Sequence, residues 1–445
     1  MASDLLQIAA SGVRAARAGL EVTAQNIANV GTAGYVRRSV RLSELAMSGG
    51  YGRTGDIAFS GVWIDGVARG ADLFRQSEVR RTGADQARSR TELTGLENIE
   101  AAIEQSNLYP ALTAFEANLA RLVADPVDPV LRAAVLESAR ALSTTFNIAA
   151  RGLGDVGTGL RFAAADGVAQ VNLLAGELGR VNLQLSRTAA GSSDQSVLLD
   201  QRDSLLEKIS AFADVTTTFT PDRMVEVRLG GSGGPLLVNG GTGSALAMAT
   251  AGDGTVSFTL GGSPVAPGAG SLAGQSQALI AARDNAAALD ATANNLMATV
   301  NAVQTSGTAL DGTAGAALFS GSGAAGIALA LTAPGQIATA PSGAGAGSRD
   351  PANLNALLNA LATDDIAGQA DALLFSVSSR VAGSRITAEA LGAIAGQAQL
   401  ALDSQAGVDL DAEAVNLVRF QQAFQASGKA IQVAANVIDT ILALR

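Results

Sequence analysis

The sequence predicts a mainly α, elongated protein of several domains: a body of long helices, a small β domain inserted into it, and N- and C-terminal helices paired in a coiled-coil-like layer. Three observations carry this reading. Apolar residues recur every seven positions at both chain ends, the interior holds long seams that step by three and four, and between residues 213 and 271 the pattern changes to period two.

At the N-terminal end Leu6, Val13, Leu20 and Ile27 form a heptad series, with Ala9, Ala16, Thr23 and Val30 three positions further on. At the other end Leu417, Phe424, Ile431 and Ile438 repeat the spacing, accompanied by Phe420, Ser427, Ala434 and Ile441. Small residues at every second site suit close helix-helix packing better than a broad core face. Neither seam is self-sufficient. Fully burying four large side chains yields roughly 6 to 12 kcal/mol, whereas ordering about 25 residues costs about 1 to 2 kcal/mol each in backbone entropy. Gly12 and Gly19 weaken the first helix further. The ends are therefore expected to be mobile in a monomer and to become helical on packing with each other and with neighbouring subunits. The expected assembly interface is Leu6, Val13, Leu20, Ile27, Leu417, Phe420, Phe424, Ile431 and Ile438.

The first seam runs into "NIANVGTAGYVRRS", residues 26–39. Asn26 and Asn29 can bond backbone near a helix end, and Gly31 and Gly34 can leave helical geometry before Tyr35 and a strand-like "YVRRSVRL". This stretch reads as a joint between an inner helical layer and the next domain. The other reading of its Gly-x-x-Gly is a nucleic-acid clamp, with Arg37 and Arg38 on phosphates and Tyr35 stacked on a base. The 40 acidic residues outnumber the 30 basic ones, which repels a phosphate backbone, so the two arginines are expected to meet acidic neighbours.

The body follows. Leu96, Ile99 and Ile103 step along one helix, and Leu112, Phe115, Leu119 and Leu122 along another after Pro110. "DPVDPV" at 125–130 is a turn, beyond which Leu131, Val135, Leu142 and Phe146 continue the pattern. Further seams are Val171, Leu174, Leu178, Val181 and Leu185, then Leu289, Ala293, Leu296, Val300 and Val303. Long helices packed lengthwise result. Val225, Val227 and Leu229 alternate with Glu226 and Arg228, and "GGSGG", "NGG" and "GDG" punctuate short apolar runs, which reads as hairpins. Residues 306–350, rich in Gly, Ala and Ser, read as loops with a few short strands, and "TDDI" at 363–366 as a helix N-terminus. The expected division is 1–35 with 408–445 as paired terminal helices, 36–212 with 272–407 as the helical body with a short extended region after residue 35, and 213–271 as the β insertion.

Little in the chain points to catalysis. It contains no Cys and no His, which removes thiolate nucleophiles, Ser-His-Asp chemistry and the usual zinc and haem ligands. Asp200 and Asp203 in "LLDQRD" could chelate a cation; the reading preferred is that they flank Arg202 and help terminate a helix before the insertion. "GDGT" at 252–255 lacks the spacing of a calcium loop and reads as a hairpin turn. No enzyme activity, cofactor or metal is expected. Arg14 and Arg17 interrupt any signal-peptide core, and no stretch is apolar enough to insert in a membrane.

The two ends also resemble a known family. "LLQIAASGVRAARAGLEVTAQNIANVGTAGYVRRSV" is similar to the N-terminal motif of the axial proteins of the bacterial flagellum, and "DAEAVNLVRFQQAFQASGKAIQVAANVIDTILAL", 411–444, to its C-terminal counterpart. Inside, "DQRDSLLEKISAFADV" (200–215), "ARDNAAALDATANNLMATVNAVQTSG" (282–307) and "LDGTAGAALF" (310–319) follow in the order found in hook-associated members of that family. Two features depart from the pattern: Ala33 stands where relatives carry Pro before Gly-Tyr, and the β insertion is short. The resemblance implies a non-enzymatic part of the hook-filament junction, extracellular and exported unfolded through the flagellar type III export apparatus without a cleaved signal peptide. It implies as partners further copies of the chain, the flagellar hook protein, a second hook-filament junction protein and a dedicated export chaperone on the C-terminal segment, with no nucleic acid and no membrane insertion. Another axial protein, of hook or distal rod, is the nearest alternative; a secreted hydrolase using carboxylates of the insertion is the distant one.

Overall fold

The computed structural model describes residues 2–32, 34–46 and 59–443; Ala33 lies outside the described residues. The chain starts with helix α1 (Ala2–Ala28), turns into an antiparallel ribbon of β1 (Arg38–Ala46) and β2 (Phe59–Arg69), and enters the body through α2 (Leu73–Glu104), α3 (Leu108–Ala124), α4 (Pro129–Arg187) and α5 (Ser193–Phe212). Seven short strands follow, β3 (Val215–Phe219), β4 (Val225–Leu229), β5 (Leu236–Asn239), β6 (Thr242–Gly243), β7 (Leu246–Thr250), β8 (Val256–Leu260) and β9 (Ser263–Val265). Helix α6 (Ser271–Ser306), a loop region with the single-turn helix α7 (Gly323–Gly326), α8 (Ala352–Asp364), α9 (Ile366–Ala406) and α10 (Leu410–Ala443) complete the chain. Among the described residues no helix is long and apolar enough to cross a membrane.

Helix α4 corrects the sequence reading, which treated its two apolar seams as separate segments. It is one helix of 59 residues, about 90 Å long at 1.5 Å per residue. Asp128 starts it by accepting the backbone N–H groups of Val130 and Leu131 at 2.7 and 2.9 Å, with Pro129 at the first helical position. Its upper part, Val135 to Leu153, packs with α2, α3, α6, α8 and the first part of α9 around Phe115, Phe146, Leu296 and Leu357. Its lower part, Ala164 to Leu185, packs with α5 and the strands. The strands form a four-stranded sheet (β3 to β6) and a three-stranded sheet (β7 to β9), and their inward residues Val225, Val227, Leu229, Leu246, Phe258 and Leu260 share one core with Val171, Leu178 and Ile209. The insertion thus has no core separate from the helices. "GDGT" turns the β7–β8 hairpin, with Asp253 accepting the Thr255 N–H at 3.1 Å.

Two asparagines on α4 fix the sheets to it. Asn182, fully buried, donates to the carbonyls of Val225 and Gly240 at 2.9 and 2.7 Å and accepts the Val225 N–H at 3.0 Å. Asn172, three turns earlier, donates to the Leu246 carbonyl at 2.9 Å and accepts its N–H at 2.8 Å. Replacing Asn182 by Leu strands these groups in the core, at about 1 to 3 kcal/mol for each buried group left unpaired. Asn182→Leu is expected to lower the urea midpoint and to speed amide exchange at Val225 while exchange in α8 stays unchanged; equal loss of protection in both would contradict the local role.

Candidate assembly interface and joint

The terminal helices α1 and α10 pack antiparallel along their length. Their register is set by two glycines: a Cβ at Gly12 would stand 2.7 Å from Ser427 Oγ, and one at Gly19 would stand 2.5 Å from the Phe420 ring. In an isolated helix these glycines only weaken it; in the pair they have a purpose, since the helices could not approach so closely with side chains there. The buried residues of α1 are mostly small, Ala9, Ser11, Ala15, Ala16 and Thr23 with Val22, and those of α10 are Ala434 and Glu413. The large heptad residues lie differently. Leu6, Val13, Leu20, Ile27, Leu417, Phe420, Ile431 and Ile438 are half-buried, and Phe424 is exposed at 41%. Outside them Leu5, Ile8, Val415, Val418, Val433 and Val437 are exposed as well. Two helices meeting through small residues thus leave part of their apolar surface uncovered. The ribbon lies along α1, where Ser11 Oγ accepts the Val62 N–H at 3.0 Å.

Below the pair, the joint is held by side chains. Asn26 accepts the Arg38 N–H at 3.0 Å, donates to the Arg38 carbonyl at 2.8 Å, and accepts the Tyr35 hydroxyl at 2.8 Å. Burial pushes the Tyr35 phenol up from its ordinary value. Asn29 donates to the Gln25 carbonyl at 2.9 Å, at the helix end, and accepts the Thr32 hydroxyl at 3.3 Å. Gly34 takes the left-handed φ of +76°, whereas Gly31 has open space around it and no such φ. The departure from helical geometry that "GTAG" suggested therefore falls on Gly34.

Both arginines of the joint meet carboxylates. Arg37 Nε donates to Glu413 Oε1 of α10 at 2.7 Å, and the Arg37 N–H donates to the Ala406 carbonyl at 2.8 Å. Arg38 Nη2 donates to Asp200 Oδ2 at 2.9 Å; Arg69 Nε donates to Asp200 Oδ1 at 2.6 Å and lies 2.8 Å from Asp203, which also pairs with Arg202 at 2.8 Å. With Tyr35 and both arginines so engaged, no phosphate clamp is assembled. Asp200 and Asp203 do not terminate a helix, as the sequence suggested: they sit in the middle of α5, and their partners come from the ribbon and from Arg202 beside them. Among the described residues no group of three or more metal-ligating side chains occurs.

Although burial works against its charge, Arg202 and Arg69 hold the Asp203 carboxyl below its ordinary value of 3.8. A depressed carboxylate contributes stability that is present above the unfolded value and lost as pH falls through the folded one. Asp203→Asn is therefore expected to flatten the acid limb of the stability curve below pH 3.8. Asp200→Asn leaves Arg38 and Arg69 without their shared carboxylate, at about 3 to 5 kcal/mol, read as a lowered thermal midpoint; an unchanged midpoint would contradict the role given to the cluster.

Residues 93–319, half of the chain, match the family described as Flagellar hook-associated protein FlgK helical domain. Residues 6–35 match Flagella basal body rod protein, and residues 400–444 match Flagellar basal body rod FlgEFG protein C-terminal. The chain is similar to Flagellar hook-associated protein 1 of Salmonella typhimurium, 31% identical over 245 residues that cover 54% of this chain and 42% of that protein. It is similar also to those of Escherichia coli (28%, covering 55% and 45%) and Bacillus subtilis (27%, covering 48% and 44%). The chain thus spans less than half the length of the curated relatives it matches. A solved structure, the flagellar hook junction protein FlgK from Burkholderia pseudomallei, is 22% identical with a TM-score of 0.49, over 55% of this chain and 46% of that one. With rod signatures at both ends and the hook-associated helical domain across half its length, this chain belongs to the FlgK family of flagellar hook-associated proteins.

Proposed function

We propose that this chain is a structural component of the bacterial flagellum that forms the junction between hook and filament by assembling through its terminal helices, and that it carries no enzyme activity. The observation that carries the reading is the α1–α10 pair, which meets through Gly12, Gly19 and alanines and leaves the large residues of both heptads only partly covered. Neighbouring copies supply the missing cover, with Leu6, Val13, Leu20, Ile27, Leu417, Phe420, Phe424, Ile431 and Ile438 as the interface and residues 1–35 and 408–445 as the inner layer. Asn26, Asn29, Gly31, Gly34 and Tyr35 act as the joint to the body, 36–212 with 272–407, which carries the insertion 213–271. The partners proposed with this reading are the hook protein on one side and the second hook-filament junction protein on the other, with the type III export apparatus and a C-terminal chaperone before export to the cell exterior.

The rod-type matches at both ends favour one second reading, another axial protein of hook or distal rod. Imaging a deletion strain separates the two: a junction protein leaves hooks without filaments, whereas a hook or rod protein leaves no hooks. Within the leading reading Phe424→Asp is the informative variant. Because Phe424 is exposed in the single chain, the melting temperature is expected to stay the same, while a carboxylate placed in the contact between copies costs several kcal/mol and leaves hooks bare. Filaments of normal number on such hooks would contradict the role of this seam.

A further inference from the structure

The turn between β5 and β6 holds the only Asn-Gly pair of the sequence, Asn239-Gly240. Asn239 ends β5 and is exposed, and β6 beyond the turn is the two-residue edge strand of the four-stranded sheet. Among the described residues the Asn239 carboxamide has no hydrogen-bond partner; the Thr242 hydroxyl donates to the Asn239 main-chain carbonyl at 2.9 Å instead. The Gly240 N–H is likewise unpaired. Gly240 takes a φ of +55°, with open space where a Cβ would stand. An unbonded carboxamide therefore lies next to an unbonded and unhindered backbone nitrogen. Every other asparagine is followed by a residue with a side chain, which shields that nitrogen. The Asp-Gly pairs offer a carboxylate, a poorer electrophile than an amide, and those at Asp253 and Asp311 are held by threonine hydroxyls at 2.7 and 2.6 Å.

We propose that Asn239 is a site of spontaneous deamidation, at which this chain modifies its own backbone with water as the co-reactant. The Gly240 nitrogen attacks Asn239 Cγ during brief openings of the edge strand. The N–Cγ bond forms, the Cγ–Nδ2 bond breaks, and Nδ2 leaves as ammonia with the proton that Gly240 gives up through solvent. Water then opens the five-membered imide at either carbonyl, its hydroxyl going to the carbon and its proton to the nitrogen. Opening at Cγ leaves aspartate in an unchanged backbone. Opening at the main-chain carbonyl of residue 239 leaves isoaspartate, with the chain routed through Cγ and longer by one methylene, about 1.5 Å.

The fold makes the two products unequal. Asn182 Nδ2 donates to the Gly240 carbonyl at 2.7 Å, and Gly241 is pressed on α4 so closely that a Cβ there would stand 2.5 Å from Leu183 Cγ. An added methylene has no room in such a turn. Isoaspartate therefore lifts the turn off α4 and takes one partner from Asn182, which also holds the N–H and C=O of Val225. Aspartate adds only an exposed charge. Deamidation is thus a slow, one-way loosening of the sheet from α4. The step needs only water and the turn, so its failure would leave the assembly reading as it stands.

The test keeps purified full chain in mildly alkaline buffer and follows it by peptide mass spectrometry, with isoaspartate labelled by a protein isoaspartate methyltransferase. Exchange of amide for carboxylate is expected at Asn239 at least about tenfold faster than at any other asparagine, since only there does the next residue lack a side chain. In the isoaspartate fraction amide exchange at Val225 is expected to speed up several-fold, while in Asn239→Asp, which carries the charge without the extra methylene, it stays as in the parent. No conversion at Asn239 in folded chain, under conditions where urea-unfolded chain converts, overturns the site. Equal exchange at Val225 in the isoaspartate fraction and in Asn239→Asp overturns the loosening.

Discussion

The Arg37–Glu413 pair, 2.7 Å between residues 376 apart in sequence, is the contact on which the terminal half of the structure depends. Closure entropy grows only with the logarithm of loop length, about 0.6 kcal/mol per doubling, so the separation is a modest obstacle. The larger constraint is the carboxylate itself. Glu413 is buried at the start of α10, and its burial is tolerable only with the guanidinium in place. Arg37 is in turn fixed by its N–H on the Ala406 carbonyl, and its neighbour Arg38 by Asn26 and Asp200. Two neighbouring ion pairs, Arg37–Glu413 and Arg38–Asp200, therefore link α10 through the joint to the centre of α5, and the direction in which the terminal pair leaves the body is set by them.

A single hydrogen-bonding device recurs where extended chain meets helix. Asn26 bonds both backbone groups of Arg38, Asn172 both of Leu246, Asn182 both of Val225 and Asn301 both of Phe319, at 2.8 to 3.0 Å. A primary amide offers one donor and one acceptor in a plane, which matches the N–H and C=O of one extended residue. The same chemistry that ties the insertion to the body thus ties the joint to the terminal helix. The joint is built like a sheet attachment, with the Tyr35 hydroxyl on Asn26 and the Arg37 and Arg38 guanidinium groups on Glu413 and Asp200.

Heptad spacing made both chain ends legible, because periodicity reports which face of a helix is apolar. It does not report which atoms close the contact, and there the small residues took the place expected of the large ones: Ala16 and Gly19 are inside, Leu20 half outside. The unbroken course of α4 was hidden for a related reason. Between Leu153 and Val168 the buried residues are Gly157, Ala164 and Gly167, so the apolar seam fades although the helix does not. Apart from Arg202 beside Asp203, the partners of Asp200 and Asp203 lie in the ribbon and α2, more than a hundred residues away, where no spacing rule reaches. Asparagine clamps leave no periodic trace at all, and only the pair in "NIAN" stood out, through its place at a helix end.

The two ends of one chain pair antiparallel through their small residues and leave the large ones only partly covered. A disulfide tests that register directly, since the chain contains no cysteine of its own and the Cβ separation at Gly12 and Ser427 is 3.4 Å, close to the range of about 3.5 to 4.5 Å that a disulfide spans. In the Gly12→Cys, Ser427→Cys chain at low concentration, mild oxidation should give an intramolecular cross-link in most molecules. Free thiols throughout, or cross-links only between chains, would contradict the pairing.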